Sequence, residues 1–345
     1  MDYFCQTPLE TRGLTKHFPL KGGFFRGQTM GHVQAVDGVS FVIRTGETFG
    51  LVGESGCGKT TAANLILLLQ PPTAGEIFFR NRSLAELSSR ERKEYSRYVQ
   101  AVFQDPYGAL NPRMRVGNIV GEPMEIHGYG RQERRTRILE ALKTVKLPDG
   151  SAQKFPHEFS GGQRQRIGIA RALTMDPELI VLDEPVSNLD VSIRSQILNL
   201  LKDIQQARGI SYLLISHDMA SVEHMSHRIG VMYLGRLVEL GQAEEVTTRP
   251  LHPYTATLVA VATPPGRTPP WQLPIIGEVP SPLDMPQGCA FHTRCPYSMP
   301  VCSAVRPPFT EVEPQRWTAC HLYPEKIHTI DKGQHSPLEG PGSRA

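Results

Sequence analysis

Gly53-Glu-Ser-Gly-Cys-Gly-Lys59-Thr60 is the stretch on which the reading of this chain turns. It fits the pattern G-x-x-x-x-G-K-[ST], follows the short apolar run Thr48–Val52, and opens a helix predicted over Lys59–Gln70 and stopped by Pro71. Glycines let backbone N–H groups curl around a phosphate with no Cβ in the way, and the helix N-terminus adds partial positive charge. Lys59 is expected to reach the outer phosphates of a nucleotide and Thr60 to hold Mg²⁺. Gly53, Glu54, Ser55, Gly56, Cys57, Gly58 and Thr61 complete the cradle, with Cys57 read as a tolerated small residue and not a nucleophile. A glycine-rich turn before an ordinary core helix is the plain alternative; the agreement of strand, loop and helix argues against it.

Outward from the cradle the chain alternates strand-like and helix-like segments from about Leu9 to Gly241. Tyr98–Phe103, Leu179–Leu182 and Tyr212–Ile215 are apolar runs of the kind found in a parallel sheet covered on both faces, and Val191–Ala207 reads as a helix. The pattern predicts an α/β core. Leu179–Leu182 runs into Asp183 and Glu184, so two carboxylates stand at a strand end. Asp183 is expected to bind Mg²⁺ and Glu184 to polarise an attacking water as general base. Between Asp105 and Asp176 the character turns helical. Arg131–Val145 carries Ile138, Leu139 and Leu142 as an apolar stripe, and Gln163–Thr174 reads as another helix.

Bulk properties narrow the partners. The 345 residues carry a net charge of only +3, which gives no reason to expect nucleic acid. The best apolar run, Leu65–Leu69, ends near Pro71 and Pro72, far short of the roughly 20 residues a membrane span needs. The N-terminus lacks a secretory pattern, so a cytosolic protein is expected, with its 6 cysteines as thiols or ligands. After Gly241 prolines become frequent, and residues 289–320 hold Cys289, Cys295, Cys302 and Cys320. Four unrelated thiols, a structural Zn²⁺ site and an iron–sulfur cluster are the available readings. Clustering weighs against the first, and the missing Cys-x₂₋₄-Cys pair against the second. The predicted domains are residues 1–245, with a helical part over 105–176, then 246–322, then a polar tail over 323–345 expected to be disordered.

Phe159-Ser160-Gly161-Gly162-Gln163 resembles the ABC signature L-S-G-G-Q, with Phe keeping the first position apolar. The other family elements occur in order. Gln104 is similar to the Q-loop glutamine, Ser187-Asn-Leu-Asp190 to the D-loop, and His217 to the switch histidine; Phe18 is placed like the aromatic that stacks on adenine. A glycine-rich insertion, Lys21–Gly31, separates Phe18 from the cradle. The resemblance implies an ATPase with a P-loop NTPase (RecA-like) core, a helical subdomain and an antiparallel β subdomain. It implies ATP and Mg²⁺ as ligands and a signature that serves the partner's ATP in a dimer. With no membrane domain in the chain, two separate transmembrane permeases are implied as well.

Phe103-Gln-Asp-Pro-Tyr-Gly-Ala-Leu-Asn-Pro112, His252-Pro-Tyr-Thr255, Gly288-Cys-Ala-Phe-His-Thr-Arg-Cys-Pro296, Cys302 and Cys320-His321 resemble the dipeptide/oligopeptide importer ATPases. Lys16-His-Phe-Pro19 is similar to the F-type ATPase of a two-ATPase importer. This resemblance implies a paralogous D-type ATPase as heterodimer partner, an extracytoplasmic solute-binding protein, and a peripheral position on the cytoplasmic face of the membrane. It also implies a [4Fe–4S] cluster on Cys289, Cys295, Cys302 and Cys320, with His292 and His321 beside the ligands. Peptide is the expected cargo; nickel, glutathione and sugars are handled by the same branch. The competing function, a non-transport ABC ATPase, lacks support because DNA-repair members carry long coiled coils and ribosomal members usually two cassettes.

Overall fold

All five residues of the strand Thr48–Val52 are buried, as a strand covered on both faces requires. A computed structural model of the chain describes residues 8–21, 29–104, 106–263, 277–281, 283 and 285–323. Part of the Lys21–Gly31 insertion and almost all of the expected tail lie outside these residues.

The strands, in chain order, are β1 (Leu9–Lys21), β2 (Thr29–Ile43), β3 (Thr48–Val52), β4 (Ala74–Phe79), β5 (Arg82–Ser83), β6 (Val99–Val102), β7 (Leu179–Asp183), β8 (Ser211–Ser216), β9 (Arg228–Tyr233), β10 (Arg236–Gln242), β11 (Thr310–Glu313) and β12 (Arg316–Thr318). They form two sheets, ordered β2-β1-β4-β5 and β11-β12-β10-β9-β3-β8-β7-β6. The smaller sheet is antiparallel. In the larger, β6, β7, β8, β3 and β9 run parallel, and β10, β12 and β11 add in antiparallel fashion.

Apolar runs in the central strands serve two cores at once. Ile180, Leu182, Tyr212 and Leu214 face the core shared with the helical region, while Leu179, Val181, Leu213 and Ile215 face the core under the antiparallel sheet. Side chains alternate across a strand, so only an uninterrupted apolar run fills both cores. In the second core Phe41 of β2 stacks on Phe49 of β3 with ring centroids 4.7 Å apart.

Two local expectations shift. The helix after the cradle spans Lys59–Ile66 and stops before Gln70. Leu67 caps it through an N–H to Ala63 O, and Leu68 enters the left-handed region at φ 56°. In the helix Arg131–Thr144, Leu139 is 55% exposed, although it was expected on the apolar stripe. The buried positions, Ala141 and Leu142 with the following Val145, lie three, four and seven residues after the partly buried Ile138, which is one face of a 3.6-residue helix.

The larger sheet crosses the predicted 245/246 boundary. β12 pairs with β10, Glu239 opposite Thr318 and Leu240 opposite Trp317. Arg316 and Glu239, both wholly buried, form an ion pair at 3.2 Å. Glu239 also accepts from the N–H groups of Leu251 and His252, so one carboxylate ties three segments together. Among the described residues no helix is long and apolar enough to cross a membrane.

Candidate functional site

The loop after β3 has glycine where the backbone leaves no room. A Cβ on Gly53 would lie 2.2 Å from Met232 O; one on Gly58, whose φ is +106°, would lie 2.0 Å from Ala35 O. Lys59, 5% exposed, opens the helix and donates to Gly53 O at 2.7 Å and Glu54 O at 3.0 Å. Cys57 packs beneath the loop with Sγ 3.7 Å from Lys59 Nζ, and burial pushes its thiol pKa up, as suits an inert small residue.

Parallel strands β7 and β8 bring their C-terminal ends beside this loop, where ligands of open α/β sheets bind. Thr60 Oγ1 donates to Asp183 Oδ1 at 3.3 Å. Burial pushes the Asp183 carboxyl pKa up, against the lowering effect of the Thr60 hydroxyl. A buried carboxylate beside a hydroxyl is an oxygen pair suited to a hard cation such as Mg²⁺. Glu184 follows with φ 47°, rare for a side chain of this size, and its N–H is held by Ile215 O at 2.9 Å. Its two carboxylate oxygens are held from opposite sides. Gln104 Nε2 donates to one at 2.8 Å, and His217 Nδ1 lies 2.9 Å from the other.

These groups border one cleft of about 570 Å³. Of the residues predicted for the nucleotide, Glu54, Ser55, Gly56, Gly58, Lys59, Thr60, Thr61, Gln104, Glu184 and His217 line it. Gly53, Cys57 and Asp183 stand just behind. Phe18 does not line it: it sits on β1 opposite Val33 of β2, and Val33, Gln34 and Ala35 form that wall. Leu258 and Met285 close another side. Sequence reading missed these residues, which carry no motif. Tyr254 and Arg294, quoted in the sequence only within the importer-like segments and given no role there, reach this site: the Tyr254 hydroxyl accepts from Glu54 N–H at 2.8 Å, and Arg294 pairs with the Glu54 carboxylate.

Ser160, Gly161, Gly162 and Gln163 are absent from the cleft lining. They begin the helix Gly161–Leu173 with a capping box, in which Ser160 N–H donates to Gln163 Oε1 at 3.0 Å and Gln163 N–H to Ser160 Oγ at 3.4 Å. Asp190 stands at the N-cap of the helix Val191–Arg208.

Cys289, Cys295, Cys302 and Cys320 line a single small cavity with His252, His292, His321 and Phe291 among its other walls. Burial raises the thiol pKa of Cys295 to about 11 and of Cys320 to about 12. His292 Nδ1 lies 2.8 Å from Cys289 O, and His321 Nε2 lies 2.8 Å from Val305 O, so each ring has one nitrogen engaged with a backbone carbonyl. Among the described residues no three His, Cys, Asp or Glu side chains converge tightly enough to hold one metal ion.

Comparison with known proteins adds independent findings. A family model described as "ABC transporter" matches residues 36–187, and one described as "Oligopeptide/dipeptide transporter, C-terminal region" matches residues 238–302. The oligopeptide transport ATP-binding protein AppF of Bacillus subtilis is 48% identical over 323 residues, covering 92% of this chain and 98% of that protein. The putative oligopeptide transport ATP-binding protein YkfD of the same organism is 50% identical over 296 residues, covering 84% and 90%. Among solved structures, the ADP- and Pi-bound dimer of the ATP-binding cassette MJ0796 aligns with a TM-score of 0.60 at 29% identity, covering 68% of this chain and 98% of that one. CbiO1 from Clostridium perfringens aligns with a TM-score of 0.61 at 28% identity, covering 70% and 90%.

Proposed function

This chain belongs to the ATP-binding subunits of oligopeptide/dipeptide ABC transporters, and from that premise we propose that it energises uptake of oligopeptides by binding and hydrolysing ATP. The observation that carries the reading is the convergence of the phosphate loop, Asp183, Gln104, Glu184 and His217 on one cleft.

Gly53 to Thr61 cradle the phosphates, with Lys59 exchanging its loop carbonyls for phosphate oxygens. Thr60, Asp183 and Gln104 are the residues that would hold Mg²⁺, and the bound ion would supply charge neutralisation at the phosphoryl group. Glu184 takes the proton of the attacking water, and Gln104 and His217 hold its carboxylate in position. The adenine sits against the β2 wall of Val33, Gln34 and Ala35, with Phe18 on the neighbouring strand outside the cleft lining.

One phosphate loop and one signature per chain, the signature lying outside the chain's own cleft, support a dimer in which each ATP is shared. The partner is a paralogous D-type ATPase. Two transmembrane permeases and an extracytoplasmic solute-binding protein complete the importer, and the chain sits on the cytoplasmic face of the membrane. Four thiols lining one cavity are the donor set on which a [4Fe–4S] cluster at Cys289, Cys295, Cys302 and Cys320 is proposed, with Zn²⁺ as the alternative.

Two experiments test these readings. A strain carrying Lys59→Met should lose growth on a tripeptide supplied as the source of a required amino acid. Growth on the tripeptide with loss of nickel, glutathione or sugar uptake would replace the cargo. Protein purified anaerobically should be brown, with iron and acid-labile sulfide in equal amounts. A colourless preparation with stoichiometric zinc would exclude the cluster.

A further inference from the structure

Glu54 puts a carboxylate in the wall of the cleft that takes the triphosphate. Left alone, it would repel the phosphates. Arg294, 240 residues later, grips it with two parallel bonds: Nη1 to Oε2 at 2.9 Å and Nη2 to Oε1 at 3.0 Å. This fork-on-carboxylate geometry fixes direction as well as charge. The pair is not a surface accident. Arg294 is 5% exposed, its guanidinium lies 5.9 Å from the Tyr233 ring and 5.8 Å from the Phe291 ring, and Nη1 is 3.4 Å from the Tyr233 hydroxyl. Tyr254 packs against both rings, with centroids 4.6 Å from Tyr233 and 5.4 Å from Phe291, and its hydroxyl accepts from the Glu54 N–H at 2.8 Å. Both the side chain and the backbone of Glu54 are therefore held by residues from the C-terminal part of the chain.

We propose that Arg294 is a positioning residue for ATP binding: it neutralises Glu54 and turns its carboxylate away from the phosphates, so that the phosphate loop is competent only with the Cys289–Cys295 turn docked on it. Arg294 lies inside that turn, its N–H donating to Phe291 O at 3.0 Å, which couples the cysteine cavity mechanically to the nucleotide cleft. The proposal rests on the cleft being the ATP site.

The test measures binding of a fluorescent ATP analogue with Mg²⁺ to the full-length chain, with Lys59→Met as the non-binding control. Arg294→Met should raise Kd about tenfold, because it leaves a like charge beside the phosphates. Added to Glu54→Gln, whatever that variant's own Kd, Arg294→Met should weaken binding by less than about threefold, since the charge being neutralised is gone. In the assembled transporter the same order should appear in KM for ATP, with kcat moved less. Arg294→Lys keeps the charge without the fork and should fall between the parent and Arg294→Met; if Arg294→Met does not fold, Arg294→Gln takes its place. A Kd unchanged in Arg294→Met would overturn the proposal. So would a further loss of about tenfold when Arg294→Met is added to Glu54→Gln, the result a purely structural role demands. A parent chain that itself bound no ATP would instead overturn the reading of the cleft, and the clamp with it.

Discussion

Glu184 shows how much one residue depends on its neighbours. Its carboxylate is gripped by Gln104 and His217, and its backbone is held at φ 47° by Ile215 O. A general base needs this kind of fixed direction, because proton transfer falls off with misplacement of the acceptor. Glu184→Gln keeps the shape and hydrogen-bonding capacity but cannot accept the proton. Hydrolysis by the assembled transporter should drop about 10²–10⁴-fold while ATP stays bound. Near-parental turnover would assign the base to another group. The roles proposed at this scale come from short motifs that name Lys59, Thr60, Asp183 and Glu184 directly. Gln104 and His217 have no local pattern of their own and were read only by resemblance.

The helix Gly161–Leu173 shows what an element adds. Its capping box uses Ser160 and Gln163 on each other, so neither residue serves the N–H groups of the two glycines between them. Gly162 also lies against the helix Val191–Arg208, where an added Cβ would come within 2.4 Å of Ile193 Cγ2. Gly162→Val should therefore cost about 1–3 kcal/mol through overpacking, read as a lower melting temperature of the isolated subunit. An unchanged melt would mean that the two helices can separate freely here. The element itself was expected from Gln163, two residues late, because the glycines carry no helix propensity that periodicity can register. Its packing partner was invisible, since nothing in Phe159–Gln163 encodes Ile193.

For the whole molecule, two features carry predictions. The signature lies outside its own cleft, so Ser160→Arg should leave ATP binding by the isolated chain largely intact. In a complex whose other site is already inactivated, it should abolish hydrolysis. Persisting hydrolysis there would remove the shared-site dimer. The second feature is the Arg316–Glu239 pair, which joins the C-terminal strands to the main sheet with both side chains wholly buried. Arg316→Met leaves Glu239 without its counter-charge and should cost about 3–5 kcal/mol, seen in thermal unfolding and in protease cutting near β12. Adding Glu239→Gln should restore part of this, because the neutral amide removes the unpaired buried charge while its oxygen can still accept one of the Leu251 and His252 N–H bonds. A double variant no more stable than the single would locate the loss in strand pairing instead.

The α/β core, the phosphate loop, the strand-end carboxylates and the helical region can be read along the chain alone, because each is written in contiguous residues or in a burial period of 2 or 3.6. Only the tertiary structure decided what stands around those motifs. It put Val33, Leu258 and Met285 in the cleft wall, drew four cysteines to one cavity, carried the main sheet into the C-terminal segment, and set Arg294 on Glu54. The reason is physical. Backbone conformation and alternating burial are local and leave a periodic trace, whereas an ion pair across 240 residues depends on how separate elements pack, and no spacing along the chain records it.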